Sequence, residues 1–221
     1  MNGTPAMQKK ILVIGGGGHA KVVIDALLAN SYEIAGVLEA SEDRIGTLVC
    51  GVPIIGCDAD ASRLYNEGVR EAVVAIGHLG NGAIRQRCIT QLREIGFHLP
   101  AIIHPRAVIS PFAHIGDGTV VFAGAVVNPD ARVGENCIIN TGAVVEHDVV
   151  LGENVHVAPR AAISGAARVG SGTFVGMGSC ILQGRTVGMN CIVGAGSVVL
   201  RDVPDGMTVV GVPAVCKKGG V

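Results

Sequence analysis

Val133-Gly134-Glu135-Asn136-Cys137-Ile138-Ile139-Asn140-Thr141-Gly142-Ala143-Val144-Val145 holds the unit that decides the fold. A branched aliphatic residue returns every sixth position at Val133, Ile139 and Val145, and a small residue stands four places after it at Cys137 and Ala143. The same spacing runs from Ile103 and Ile109 through to Val193 and Val199. Arg185 is the clear break at a small position. A helix wants apolar residues three and four apart and a strand wants them two apart, so neither explains a period of six. A short fixed period over so long a stretch means stacked units. Each hexapeptide reads as one flat face, and three faces close one triangular coil of a parallel β-helix. The aliphatic residue points inward, and the small residue is expected to let the chain turn the corner. Each coil buries its core only against its neighbours.

Written as Ile115-Gly116-Asp117-Gly118-Thr119 or Val169-Gly170-Ser171-Gly172-Thr173, the repeat resembles the left-handed β-helix of the hexapeptide-repeat acyltransferases. The left hand comes from that resemblance. The general rule for parallel crossovers predicts the opposite.

Outward from the repeats, the front of the chain alternates. Lys9–Ile14 is a strand signal, Gly15-Gly16-Gly17-Gly18-His19-Ala20 a glycine loop, Lys21–Ala29 a helix with Val22, Val23, Ala26 and Leu27 on its apolar side, and Tyr32–Leu38 a second strand closed by Glu39. This is the layout of a nucleotide-binding βαβ unit. Glycines let backbone N–H groups approach a phosphate at a helix N-terminus, and an acid after the second strand accepts from a ribose hydroxyl. Val52–Ile55 and Ala72–Ile76 read as further strands, Asp58–Glu67 as a helix capped by Asp58, and Ala83–Ile95 as a helix. The second loop, Gly77-His78-Leu79-Gly80-Asn81-Gly82, also follows a strand. Gly15, Gly16, Gly17, His19, Glu39, Gly77 and Asn81 are therefore expected around one ligand. Arg85 either serves a phosphate or sits on a solvated helix face. Too few residues precede the repeats for a full dinucleotide domain.

The expected organisation is a disordered N-terminal tail (1–8), a Rossmann-like α/β sugar-nucleotide-binding domain (9–99), a left-handed parallel β-helix of hexapeptide repeats (100–203) and an extended C-terminal tail (204–221). The tail 1–8 lacks the basic-then-apolar layout of a signal peptide. The apolar runs are short and broken by glycine, so no membrane insertion is expected. With 17 basic and 18 acidic residues the chain has no charge excess for nucleic acid. Seven scattered cysteines without paired spacing read as reduced, cytoplasmic thiols rather than disulfides or a zinc site. Cys137 and Cys191 fall on small repeat positions, where packing is their expected role.

One place in the repeats carries chemistry. In Asn140-Thr141-Gly142-Ala143-Val144-Val145-Glu146-His147-Asp148, His147 stands two places after an inward aliphatic, so its side chain leaves the coil, and carboxylates flank it. A histidine beside an acid is the usual device for a general base, because the acid sets the tautomer and stabilises the imidazolium. His156 follows further on.

Gly16–Val23, Val145–Asp148, His156 and Val210–Ala214 together resemble the sugar acyltransferases of the sialic-acid O-acetyltransferase and bacillosamine and perosamine N-acetyltransferase type. The resemblance implies that His147 is the general base, that Asp148 or Glu146 orients it, that His156 contacts acetyl-CoA and that His19 helps hold a sugar nucleotide. It implies a homotrimer with active sites between subunits, no metal, and acetyl-CoA along the coils near Ser164, Gly165, Gly176 and Ala195. The expected reaction is N-acetylation of a nucleotide-linked 4-amino-4,6-dideoxy sugar, UDP- or GDP-linked. The alternative is O-acetylation of a sialic-acid type sugar. A metal hydrolase of the γ-carbonic-anhydrase kind needs a histidine spacing that His104, His114, His147 and His156 do not supply. The intact Glu146-His147-Asp148 group argues against a non-catalytic sensor.

Overall fold

A computed structural model describes residues 10–80 and 82–217. The expected disordered tail, 1–8, lies outside the described residues. Contacts divide the described chain into two units, residues 10–76 with 87–100, and residues 77–86 with 101–217. The sequence reading assigns 77–86 to the front domain. In the structure its side chains and backbone bond to the repeats, which is why it groups with them.

The first unit is an α/β layer. Its elements are β1 (Lys10–Ile14), α1 (Gly18–Ala29), β2 (Glu33–Leu38), β3 (Leu48–Val49), β4 (Val52–Gly56), α2 (Ala61–Asn66), β5 (Glu71–Val74) and α3 (Ala83–Ile95), whose first turn belongs to the second unit. The sheet order is β3-β4-β2-β1-β5, parallel except for the β3–β4 pair. Ile11, Leu12, Val13 and Ile14 are all buried, as a strand covered on both faces requires. The buried side of α1 is Ala20, Val23, Ile24 and Leu27 at helical spacing, and Val22 faces out at 38% exposure. The expected cap at Asp58 is not there. Residues Asp58–Asp60 form a 3₁₀ turn, and the Asp60 carboxylate accepts from the Cys57 N–H at 3.0 Å.

The second unit is a triangular prism of two-residue strands. Its first face runs from Val108–Ile109 to Val198–Val199, its second from His114–Ile115 to Thr186–Val187, and its third from Ile102–Ile103 to Thr208–Val210. Strands pair in parallel with the strand one coil on, Val126 with Val144 and Val127 with Val145 for example. The aliphatic series and the small series both point inward, and from Val121 onward one core runs through the coils. The first three aliphatics, Ile103, Ile109 and Ile115, are only partly buried because the stack ends there.

The corners are made one place earlier than the sequence reading puts them. Residues three after each aliphatic adopt the left-handed conformation, from Gly118 (φ 69°) through Asp130 and Asn136 to Gly196 (φ 66°). Glycine, asparagine and aspartate tolerate that region, which is why they recur at this position. The small residue next to it packs inside. Cys137 and Cys191 are fully buried there, and burial pushes the Cys137 thiol up to about 12. On the second face a Cβ at Gly116, Gly134 or Gly170 would lie 2.5 to 2.7 Å from the backbone of the next coil, so these coils close only over glycine.

The segment that reads as an extended tail completes the prism. Thr208–Val210 pairs in parallel with Ile192–Val193 and then turns into an antiparallel hairpin with Val215–Cys216.

Candidate active site at a corner of the β-helix

Val144 and Val145 end a strand of the first face, Glu146 follows, and His147-Asp148 form the corner. Asp148 takes the left-handed position, φ 60°, which brings its carboxylate back to the preceding side chain. His147 Nδ1 donates to Asp148 Oδ2 at 2.8 Å. Glu146 instead accepts the His147 backbone N–H at 3.3 Å. The side chains of His147 and Asp148 are 55% and 60% exposed. The hydrogen bond to Asp148 is the main cause that holds the His147 pKa above its ordinary 6.5, and the charges of Asp148 and Glu146 add to it.

With the proton on Nδ1, the lone pair is on Nε2. That nitrogen lies over Gly165, the residue stacked one coil further on. A Cβ at position 165 would stand 2.6 Å from both Nε2 and Cε1, so only glycine lets the ring lie there. The Gly165 carbonyl accepts from Gly184 N at 3.0 Å, and among the described residues its N–H has no acceptor. A proton acceptor and a backbone donor thus lie side by side, the pairing that acyl transfer needs.

The other residues named from the sequence divide by corner. Ser164 adjoins Gly165. Gly176 and Ala195 lie at the corner after the third face, a different edge of the prism from His147. Within one chain, therefore, these two are not brought to His147.

His156 is on the third face and is 6% exposed. Its Nδ1 donates to the His78 carbonyl at 2.7 Å, and its Nε2 meets Asn140 Nδ2 at 3.2 Å. The rings of Phe174 and His78 stand edge-on at 5.1 and 5.3 Å. Burial pulls both His156 and His78 down to about 4, so both are neutral near pH 7. The ring that the resemblance assigns to acetyl-CoA is thus engaged by protein at both nitrogens. Arg85, one of whose sequence readings is a solvated helix face, is 2% exposed and donates from Nη2 to Asn136 O at 3.3 Å.

In the first unit Gly15, at φ 98°, donates its N–H to Leu38 O at 2.8 Å, and a Cβ there would meet Ile76 Cγ1 at 2.7 Å. Glu39 binds the glycine loop itself, with Oε2 accepting from Gly16 N at 2.8 Å and from Arg44 Nη1 at 3.0 Å. Arg44 also donates to Gly16 O at 3.0 Å. The carboxylate expected to face a ribose is occupied on that side by protein donors. Gly17 and Gly18 are exposed with open space above them, and His19 is half-buried in the first turn of α1. Gly77 is exposed and opens the segment that groups with the β-helix. Asn81 lies outside the described residues. Sequence reasoning missed Arg44, His78 and Asn140. His78 and Asn140 stand inside motifs already singled out, whereas Arg44 carries no pattern.

Among the described residues no group of three His, Cys, Asp or Glu side chains could hold a metal ion, and no helix is long and apolar enough to cross a membrane.

Comparison with known proteins gives a consistent result. Residues 10–92 match the PglD N-terminal domain, and residues 130–165 and 166–201 match the bacterial transferase hexapeptide (six repeats). The chain is 38% identical over 116 residues to the UDP-N-acetylbacillosamine N-acetyltransferase of Bacillus subtilis (strain 168), a stretch that is 52% of this chain and 52% of that protein. The chain thus matches about half the length of that relative. PerB from Caulobacter crescentus, solved in complex with CoA and GDP-perosamine, is 42% identical with a TM-score of 0.89, covering 96% of this chain and 99% of that one. The acetyltransferase domain of PglB from Neisseria gonorrhoeae FA1090, solved with acetyl coenzyme A, is 39% identical with a TM-score of 0.86, covering 95% and 100%. The fold is therefore a Rossmann-like α/β unit followed by a left-handed parallel β-helix, the hand that the resemblance implied. On this similarity over essentially its whole length, the chain belongs to the hexapeptide-repeat acyltransferase family of the bacillosamine and perosamine N-acetyltransferases.

Proposed function

We propose that this protein is an acetyl-CoA-dependent N-acetyltransferase acting on the amino group of a nucleotide-linked 4-amino-4,6-dideoxy sugar, a precursor of bacterial surface glycans or glycoproteins. The carrying observation is His147, with Asp148 on Nδ1 and Nε2 over Gly165. Relatives that share nearly the whole chain were solved with CoA and GDP-perosamine or with acetyl-CoA, which supports both substrates. The B. subtilis relative leaves UDP and GDP carriers both open.

The transfer is direct. The sugar amine attacks the thioester carbonyl carbon, and a C–N bond forms. His147 Nε2 takes the proton that the nitrogen loses. The oxyanion accepts from the Gly165 N–H. The C–S bond then breaks, and CoA leaves as thiolate, which recovers the proton from the imidazolium. Asp148 holds the imidazole in the tautomer that keeps Nε2 free, and Glu146 pins the corner backbone. No covalent enzyme intermediate forms, so Cys137 and Cys191 keep to packing. In the first unit the α1 N-terminus, with Gly15, Gly16, Gly17 and His19, takes the nucleotide phosphates. Glu39 acts with Arg44 beside them.

A homotrimer completes the site. The outward residues of the first face are Val108, Val126, Val144, Ala162, Cys180 and Val198, all exposed or half-buried in the single chain. His147 stands at the corner where this apolar face ends. A second copy seated on it would lay its own Gly176 and Ala195 against acetyl-CoA, beside the His147 and Ser164 of the first. Acetyl-CoA as donor and seven free thiols support a cytoplasmic location.

The test is His147→Asn. Thiol release should fall by about 10²–10⁴-fold, the range of a lost general base, while acetyl-CoA still binds. Unchanged turnover would remove the assignment.

A further inference from the structure

We propose that Arg160 of one subunit pairs with Glu146 of the next, so that each His147 corner is completed by a cation from the neighbouring chain. The inference rests on the trimer reading above, with one copy seated against the first face of another.

Arg160 stands where the fold favours glycine. It lies at the corner after the third face, the corner that also carries Gly176 and Ala195. In the coils on either side the left-handed position of that corner is Gly124, Gly142, Gly178 and Gly196. Arg160 alone among these coils fills it with a side chain, at φ 57°. An arginine there costs backbone free energy that glycine would not. Such an outlier points to a role beyond the corner itself. The side chain is exposed, and among the described residues no carboxylate forms an ion pair with it.

The coil fixes where that cation goes. Arg160 N donates to Thr141 O at 3.0 Å, and a Cβ at Gly142 would lie 3.5 Å from Arg160 Cγ. The stem therefore leans back over the preceding coil, toward the height of Gly142 along the prism. Glu146, His147 and Asp148 fall between residues 142 and 160 in the winding chain, so their heights fall between as well. Glu146 precedes Arg160 by less than one coil, and neighbouring coils lie about 4.8 Å apart. Copies related by a threefold axis parallel to the prism keep equal heights. The first face is a straight apolar strip from Val108 to Val198, which a neighbour covers along its length only with the prisms side by side. Arg160 of the second copy thus comes level with the His147 corner of the first.

That corner suits a cation. Asp148 Oδ2 is engaged by the imidazole, whereas the Glu146 carboxylate holds only the long bond from His147 N at 3.3 Å. Two carboxylates beside one neutral ring leave the corner anionic. A guanidinium from across the interface offsets that charge and fixes Glu146 in place. Arg160 is in this sense a positioning residue, acting through Glu146.

The experiment uses mixed trimers of the full chain. Chains carrying Arg160→Gly and chains carrying His147→Asn are co-expressed with different tags, and trimers bearing both tags are isolated. Glycine relieves the left-handed corner, so the Arg160→Gly chain should fold. Its own trimers should release thiol about tenfold more slowly or worse, the effect of a broken interfacial charge pair. Every mixed trimer has one junction at which an unmodified His147 meets an unmodified Arg160, so turnover should recover to about a third of the unmodified enzyme. No recovery would place Arg160 in its own chain's site and overturn the proposal, as would full turnover by Arg160→Gly alone. A second measurement needs no activity. Glu146→Cys combined with Arg160→Cys should link chains through a disulfide on oxidation, seen on a denaturing gel, and neither single variant should do so. A trimer that stays unlinked defeats the pairing alone, whereas a monomer in sedimentation defeats the trimer reading beneath it. Absence of turnover by the unmodified enzyme would defeat the acetyl-transfer reading, while the cross-link would still judge Arg160.

Discussion

His147 can take a proton only while its Nε2 is unprotonated, so its environment sets the pH at which the enzyme works. The bond to Asp148 raises the imidazole pKa above 6.5, so protonation persists to higher pH. The acidic limb of kcat/KM is therefore expected to rise with pH through a midpoint above 6.5. Asp148→Asn should move that midpoint down and lower the plateau by roughly tenfold or more, because the tautomer is no longer enforced. A limb that stays in place would show that Asp148 does not act on the base. The candidate base was legible in the sequence as a histidine flanked by acids two places after an inward aliphatic. Which acid touches it was not, because that depends on the left-handed backbone at Asp148. His156 was legible as a singular histidine, but its burial was not. Its surroundings come from His78, far away in sequence, and no local pattern reports burial.

At the scale of the element, the hexapeptide period was legible because one inward aliphatic per face is the minimum that lets coils stack. The corner falls one residue before the small position, and its signal is in the sequence. Glycine, aspartate and asparagine recur three places after the aliphatics, as at Gly118, Asp130, Asn136, Gly142, Asp148 and Asn154. Ala166, φ 57°, breaks this preference directly beside Gly165. An alanine there bears the left-handed strain that glycine avoids, partly offset by the lower entropy of its unfolded chain. Ala166→Gly should therefore raise stability by about 0.5–1 kcal/mol, read as a higher denaturant midpoint at unchanged slope. A lower midpoint would mean that the methyl group makes a contact outweighing the strain. In the front unit the strand β3 went unseen because two residues carry no periodicity, and the bond from Cys57 N–H to the Asp60 carboxylate was hidden by the neighbouring Asp58.

At the scale of the whole molecule, the three faces of the prism differ in kind. The second carries His114, Arg132, Arg168 and Thr186 outward, the third is covered in part by residues 77–86, and the first is a strip of valines with Ala162 and Cys180. A strip of that kind marks an interaction surface. Sedimentation should give the mass of three chains. Val126→Glu, in the middle of the strip, should shift it to one chain and remove thiol release while leaving the fold intact by circular dichroism. A wild-type monomer with full turnover would contradict the shared site. The boundary between the units was legible only in part. Chain order suggests a clean join near residue 100, whereas bonds between His78 and His156, and between Arg85 and Asn136, carry 77–86 into the second unit.

N-acetylation is tested most directly by thiol release from acetyl-CoA with UDP- and GDP-linked 4-amino-4,6-dideoxy sugars and with free sialic acid, with the product analysed as amide or ester. Release with an amino-sugar nucleotide and an amide product is expected. Release with sialic acid alone, as an ester, would contradict it.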